Sequence, residues 1–256
     1  FRDLTEVRHL KLQLERMERL ALLGELSAGI AHEIRNPLAG IRAAAQLLES
    51  GDGKTDFERQ VVDRIIREVD KANKLLKEFF KFAKPGKPKL KLHDIELLID
   101  GVYLLLSSQI RGKNIEFSTE FGDDIPQVYV DDTQLEQVIV NLFLNAVDAM
   151  PAGGKLHVKT YRKNLNILNS NDHQFDIDNK KLNYVFVEIK DTGVGIPEEN
   201  IPRIFNPFFT TKQNGLGLGL SICSRLVSEN GGNLDITSKT GQGTTVTLAL
   251  PSFVHA

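Results

Sequence analysis

An N-terminal antiparallel helical hairpin followed by an α/β sandwich is the architecture that this 256-residue sequence predicts, on three observations. Apolar residues recur at spacings of three and four through the first third of the chain. A segment rich in lysine and proline then interrupts that period. Beyond it, short alternating strands interleave with helical runs and glycine-rich turns. Two wide apolar faces cannot both be buried within one hairpin, so the first part is expected to pair with a second copy as a four-helix bundle. The second part should be a mixed, mainly antiparallel sheet with helices on one face.

Bulk properties narrow the function classes. The chain is 41% hydrophobic and 26% charged, an ordinary balance for a globular protein. A net charge of −2 gives no support for nucleic-acid binding. A single cysteine, Cys223, rules out an internal disulfide framework and fits a reducing compartment. There is no signal peptide, and no apolar run approaches the roughly 20 residues of a membrane span. The chain opens at Phe1 without methionine and within a continuing element, so it reads as a fragment of a longer protein whose span could lie upstream.

FRDLT, Phe1 to Thr5, reads as a strand end entering a helix, with Asp3 or Thr5 as its cap. Val7, Leu10, Leu14, Met17, Ala21, Gly24, Ala28 and Ala31 then form a coiled-coil seam, flanked by Leu20, Leu23, Ile30 and Ile34. The sustained repeat favours dimerisation over an ordinary amphipathic core helix. Within LGELSAGIAHEIRNPLAGIRAAAQLL, residues Leu23 to Leu48, His32 is followed by Glu33 and, one turn on, by Asn36 and Pro37. His32 and Asn36 share a helix face. A neutral imidazole offers one ring nitrogen as a nucleophile, and a carboxylate near the other can support the cation formed on attack. Pro37 removes a backbone donor and should loosen the helix one turn past the histidine. SGDGKT, Ser50 to Thr55, is a turn. A second helix over about Asp56 to Ala83 carries one broad apolar face.

KPGKPKLK, Lys84 to Lys91, has linker composition. A helix over Ile95 to Ile110, strands over Asn114 to Phe121 and Gln127 to Val130, and a helix over about Thr133 to Met150, opened by Asp131 or Asp132, follow. Strands over Lys155 to Arg162 and Tyr184 to Lys190 flank an Asn-rich loop. A short helix after Pro197, a glycine-rich segment, a helix to about Asn230 and a hairpin over Asn233 to Lys239 and Thr244 to Leu250 complete the chain.

Three stretches carry chemistry. In EQVIVNLFLNAVDAM, Asn141 and Asn145 share a face of an otherwise apolar helix. Their amides suit either a hydrated Mg²⁺, which keeps several waters, or helix–loop hydrogen bonds. DTGVGIP, Asp191 to Pro197, joins a strand to a helix. Gly193 and Gly195 let the backbone approach a flat ligand, and a buried Asp191 could accept from the exocyclic amine of adenine; a plain turn accounts for the same glycines. GLGLGLSI, Gly215 to Ile222, opens a helix with glycines two apart, exposing N–H groups suited to phosphates. It is neither a Walker A loop nor a Rossmann fingerprint. FNPFFTTK, Phe205 to Lys212, reads as a lid beside it, its phenylalanines partly a local anchor.

Taken in order, these stretches resemble the boxes of sensor histidine kinases. HEIRNPL resembles the H box, EQVIVNLFLNAVDAM the N box, DTGVGIP the G1 box, FNPFFTTK the F box and GLGLGLSI the G2 box. GQGTTVTLALP resembles the closing strand of the same domain. AHEIRNPL, NAVDAM and PFFTTK are most similar to the nitrogen-regulation-type group, and FRDLTEV resembles the end of a PAS sensor domain. The resemblance implies a signalling helix over 1–20, a dimerisation and histidine-phosphotransfer domain over 21–84, a linker over 85–91 and a Bergerat-type catalytic domain over 92–256.

It also implies roles. His32 would be the phosphoacceptor, Glu33 its general base, and Asn36 would orient water when the enzyme dephosphorylates its partner. Asn145, with Asn141, would hold Mg²⁺. Asp191 would read the adenine of ATP in a pocket lined by Gly193, Gly195 and Ile196. Lys212 and the segment Gly215, Leu216, Gly217, Leu218 and Gly219 would reach the phosphates, and Thr245 would add a nucleotide contact. The implied partners are a response regulator receiver domain, a second copy of the chain and an upstream PAS-like sensor. No nucleic acid and no direct membrane contact are implied for this fragment. Its place would be the cytoplasm, or the cytoplasmic side of a membrane-anchored sensor. Many relatives carry a basic residue where this chain has Asp148; either Lys212 and Arg203 take over its phosphate contact, or Asp148 points away. ATPases of the gyrase and heat-shock type share the nucleotide fold but typically place a glutamate base where Asn141 stands. A non-catalytic scaffold is the remaining rival.

Overall fold

The computed structural model describes residues 34–48, 55–83, 88–163, 183–212 and 217–252. The chain divides into two compact units, Phe1–Gly86 and Lys87–Ala256. In the first, helix α1 occupies residues 34–48 and helix α2 runs Thr55–Ala83. The two pack as a hairpin. Pro37, Ala44 and Val61 are buried, and a Cβ on Gly40 would come within 3.2 Å of the Glu68 side chain. The helix continues through Pro37 to residue 48. Leu38, Leu47, Val62, Ile66 and Val69 remain exposed, a second apolar surface that the hairpin leaves uncovered. The coiled-coil seam of residues 7–31, His32 and Glu33 lie outside the described residues.

The second unit is a seven-stranded sheet with helices on one face. Strand β1 is Lys91–His93, β2 Ile115–Phe121, β3 Val128–Val130, β4 Gly154–Lys163, β5 Asn183–Asp191, β6 Asn233–Lys239 and β7 Gly243–Ser252. Helices α3 (Ile95–Gly112), α4 (Asp132–Ala149) and α5 (Gly219–Glu229) join them, with a 3₁₀ turn over Glu198–Arg203. The strand order is β1-β3-β7-β5-β4-β2, with β6 paired to β7. Only β2 and β4 run parallel. On the edge of β7 away from β5, residues Gly243 to Ala249 meet β6, and Ser252 meets Val128 of β3.

Alternation along the strands decides what the core receives. Leu156, Val158, Val185, Val187, Ile189, Leu248 and Leu250 are buried. They meet Ile95, Ile99, Val102, Leu106 and Ile110 of α3 and Val138, Ile139, Leu142 and Phe143 of α4 in one core. Phe117 stacks on Tyr103 at 4.0 Å between ring centres and tilts against Phe143 at 5.8 Å. The opposite sheet face is polar, with Lys155 on Glu116 and both Lys159 and His157 on Glu120.

One departure from the sequence reading concerns β1, which lies where linker and bare chain are expected. Leu92 pairs with Tyr129 there. The reason is Asp131. Its Oδ2 accepts from the Lys89 backbone N–H at 2.7 Å and its Oδ1 caps α4 by accepting from Gln134 N–H at 3.0 Å. One carboxylate thus fastens the incoming chain to the start of α4. Asn230 completes the hub from the end of α5. Its Oδ1 accepts from Asp131 N–H at 2.6 Å, and its Nδ2 donates to Gln134 Oε1 at 2.7 Å and to the Leu226 carbonyl at 2.8 Å. Replacing Asn230 with Ala leaves buried groups unpaired, which costs about 2–3 kcal/mol. Urea unfolding of the variant should show that loss at an unchanged slope.

Candidate functional site

The site is assembled on α4 and on the loops at the ends of β5 and β7. Helix α4 begins at the Asp131 cap and buries Leu135, Val138, Ile139, Leu142, Phe143, Ala146 and Val147. That face fixes the helix rotation. It leaves Asn141 and Asn145 half-buried along one edge and Asp148, three residues after Asn145, exposed. The two asparagines meet different neighbours. Asn145 Oδ1 accepts from Lys212 Nζ at 3.0 Å. The Asn141 amide lies at the Cys223 thiol of α5, whose pKa is pushed up to about 12 by burial against the opposing pull of that amide. A thiol held so far from ionisation is chemically inert.

Asp191 ends β5 and is only 5% exposed. Its Oδ1 accepts two backbone N–H groups, from Gly193 at 2.8 Å and from Thr244 at 3.2 Å. Its Oδ2 takes no hydrogen bond from a described residue. Burial raises its pKa above the ordinary carboxylate value, and the two N–H groups pull it only partly back. A buried acceptor with one oxygen left over suits a ligand that brings an N–H. The contact from the closing strand comes from Thr244. Thr245, the residue singled out in the sequence, pairs with Lys190 and Thr237 and alternates to the other side of β7. The Thr244 contact runs through its backbone N–H, which side-chain alternation along β7 does not reveal.

The glycines after Asp191 answer to the protein as well as to any ligand. A Cβ on Gly193 would stand 2.5 Å from the Ala149 carbonyl oxygen. Gly195 has φ +69°, and its Cβ would stand 2.2 Å from the Lys239 carbonyl oxygen. Val194 N–H donates to Ala149, Gly241 N–H to Val194, and half-buried Ile196 N–H to Ser238 Oγ at 2.8 Å. The loop is therefore clamped between the end of α4 and the β6–β7 turn.

The stretch read as a lid follows the 3₁₀ turn. Arg203 places its guanidinium 4.8 Å from the Phe209 ring centre, so it is engaged with the lid aromatic. Phe208 has φ +65°, and its backbone packs on Gly217, where a Cβ would stand 2.3 Å from the Phe208 carbonyl carbon. Leu218 is buried as the N-cap of α5, which opens at Gly219. Lys212 lies apart from them on α4, donating to Asn145 and, at 2.9 Å, to Asp148 Oδ2. Asp148 thus points into the site and not away from it. Burial would raise its pKa, but the hydrogen bond and charge of Lys212, with Lys113 behind, hold it below the ordinary value. Gly215 and Leu216, like His32 and Glu33, lie outside the described residues. Asn36 is exposed on α1.

These residues fit an adenine nucleotide with a divalent cation. Asp191 keeps one carboxylate oxygen without a hydrogen bond from a described residue, and Asn145 already holds a cation, the Lys212 ammonium, on its amide oxygen.

Comparison with known proteins points the same way. Residues 22–88 match the family His Kinase A (phospho-acceptor) domain, and residues 130–253 match Histidine kinase-, DNA gyrase B-, and HSP90-like ATPase. The signal transduction histidine-protein kinase AtoS of Escherichia coli K12 is 31% identical over 98% of this chain and 38% of its own length. Sporulation kinase E of Bacillus subtilis 168 is 32% identical over 98% of this chain and 31% of its own length. The chain thus spans about a third of these curated relatives. Among solved structures, histidine kinase ThkA in complex with response regulator protein TrrA superposes with a TM-score of 0.74 at 29% identity, over 98% of this chain and 68% of that one. The catalytic domain of ThkA alone is 32% identical, with a TM-score of 0.52, over 64% of this chain and 98% of that one.

Proposed function

This chain belongs to the sensor histidine kinases, and from that premise we propose that it transfers the γ-phosphoryl group of ATP to His32 and passes it on to an aspartate of a response regulator. The carrying observation is Asp191, a buried residue whose Oδ1 is fixed by two backbone N–H groups while its Oδ2 takes no hydrogen bond from a described residue. In this reading Oδ2 accepts from the adenine amine while Gly193 and Thr244 hold Oδ1 in place. Asn145, with Asn141 behind it, would hold Mg²⁺, which when bound would neutralise phosphate charge. The N–H groups of Gly215 to Gly219 and the Lys212 ammonium meet the phosphates. The His32 imidazole attacks in line, and Glu33 holds the proton on its other nitrogen. The product is a phosphoramidate.

The exposed apolar residues of the hairpin, Leu38, Leu47, Val62, Ile66 and Val69, support pairing with a second copy. The nitrogen-regulation-type grouping, an upstream PAS-like sensor, phosphatase action through Asn36 and the boundaries 1–20, 21–84, 85–91 and 92–256 belong to the same proposal. Incubation with γ-labelled ATP and Mg²⁺ should leave label on the protein that is lost in acid and kept in base. Base-labile, acid-stable label would mean a different acceptor chemistry. Absence of label on a chain that still binds nucleotide would leave a scaffold.

A further inference from the structure

Lys212 is held on α4 by two oxygens. Its ammonium donates to Asn145 Oδ1 at 3.0 Å and to Asp148 Oδ2 at 2.9 Å. The two acceptors are three residues apart on one helix edge, so a single ammonium bridges them. The other carboxylate oxygen, Asp148 Oδ1, faces Lys113 Nζ at 3.5 Å, and that ammonium also donates to the Val147 carbonyl at 3.2 Å. Both oxygens of Asp148 are therefore turned to lysines, while the amide oxygen assigned to the cation is covered by a residue of the lid.

From this geometry we infer that Asp148 is a positioning residue that holds the lid lysine across Asn145 in the nucleotide-free protein, so that Lys212 and the divalent cation compete for the same amide oxygen. The inference rests on the assignment of Asn145 to the cation. With Mg²⁺ and nucleotide bound, the Lys212 ammonium would leave Asn145 and be free to meet the phosphates. Asp148 keeps Lys113 when Lys212 leaves, so the release does not strand a carboxylate. A basic residue at position 148 would touch phosphate itself but repel the lysine. The acidic residue gives up that contact and sets the resting position of the lid.

Two readouts on the full chain test this. Trypsin cleavage after Lys212, followed by mass spectrometry without nucleotide, reports whether the side chain is held. Asp148→Asn should speed that cut roughly fivefold, the scale of a partly exposed ion pair, and Asp148→Glu should restore the parent rate. A fluorescent ADP analogue reports binding. Asp148→Asn should tighten its Mg²⁺ complex roughly threefold to fivefold by loosening the competing lysine, and the same change made in a Lys212→Met chain should have no effect. An unchanged cut rate overturns the inference. So does tightening that persists without Lys212, which would be charge alone, or weaker binding in Asp148→Asn, which would make the carboxylate an ally of the metal. A parent chain that fails to bind the analogue removes the functional reading together with the inference. A parent that binds while the variants do not differ removes the inference only.

Discussion

His32→Gln should carry less than about 1% of the parent's acid-labile label while binding nucleotide within about twofold of the parent. Glutamine keeps the size and polarity of histidine but has no nucleophilic nitrogen, so the phosphoramidate cannot form. Every residue assigned to the nucleotide belongs to Lys87–Ala256, whereas His32 belongs to Phe1–Gly86. The two losses should therefore separate. Label persisting on the variant at more than a few per cent would move the acceptor elsewhere. Equilibrium binding of the fluorescent ADP analogue, run beside the labelling, distinguishes lost chemistry from lost folding.

Asp191→Asn should do the reverse and weaken adenine nucleotide binding about 100-fold, near 3 kcal/mol. The amide can still offer an oxygen to Gly193 and Thr244 N–H, which preserves the loop. It then turns an NH₂ toward the adenine amine, setting donor against donor in a buried site. Inosine nucleotides lack that amine and should bind the parent about as poorly as ATP binds the variant. If parent and variant treat the two bases alike, Asp191 does not read the ring.

Element order in the second unit was legible because strand alternation, helix caps and glycine punctuation agree with one another. Asp131 and Asp132 both announce a cap; only the fold shows that Asp131 takes it and ties Lys89 to the same carboxylate. Strand β1 was hidden because three residues after a proline-rich segment have no period to detect; they become a strand only once β3 is beside them. At the site, motifs mark out positions but not contacts. Gly193 and Gly195 announce a close approach, yet the groups pressing on them are Ala149 and Lys239, 44 positions away in each case. Nothing local to Lys212 signals Asp148, since their distance along the chain is 64 residues. Thr244 reaches Asp191 through its backbone N–H, a contact that the side-chain pattern of β7 does not encode.

The two N–H groups on Asp191 come from opposite ends of the second unit's history as a chain. Gly193 is two residues away, but Thr244 is separated from Asp191 by 53. Between them run the 3₁₀ turn, the lid, α5 and β6, all of which must be synthesised before β7 can lie beside β5. A nascent or partly unfolded domain can thus form the short turn after β5 without completing its nucleotide pocket. Long-range strand pairings of this kind form late. Nucleotide would then engage only finished molecules and draw the population toward them by mass action, by RT ln(1 + [L]/Kd). In a cell, the substrate pool would double as a check on folding.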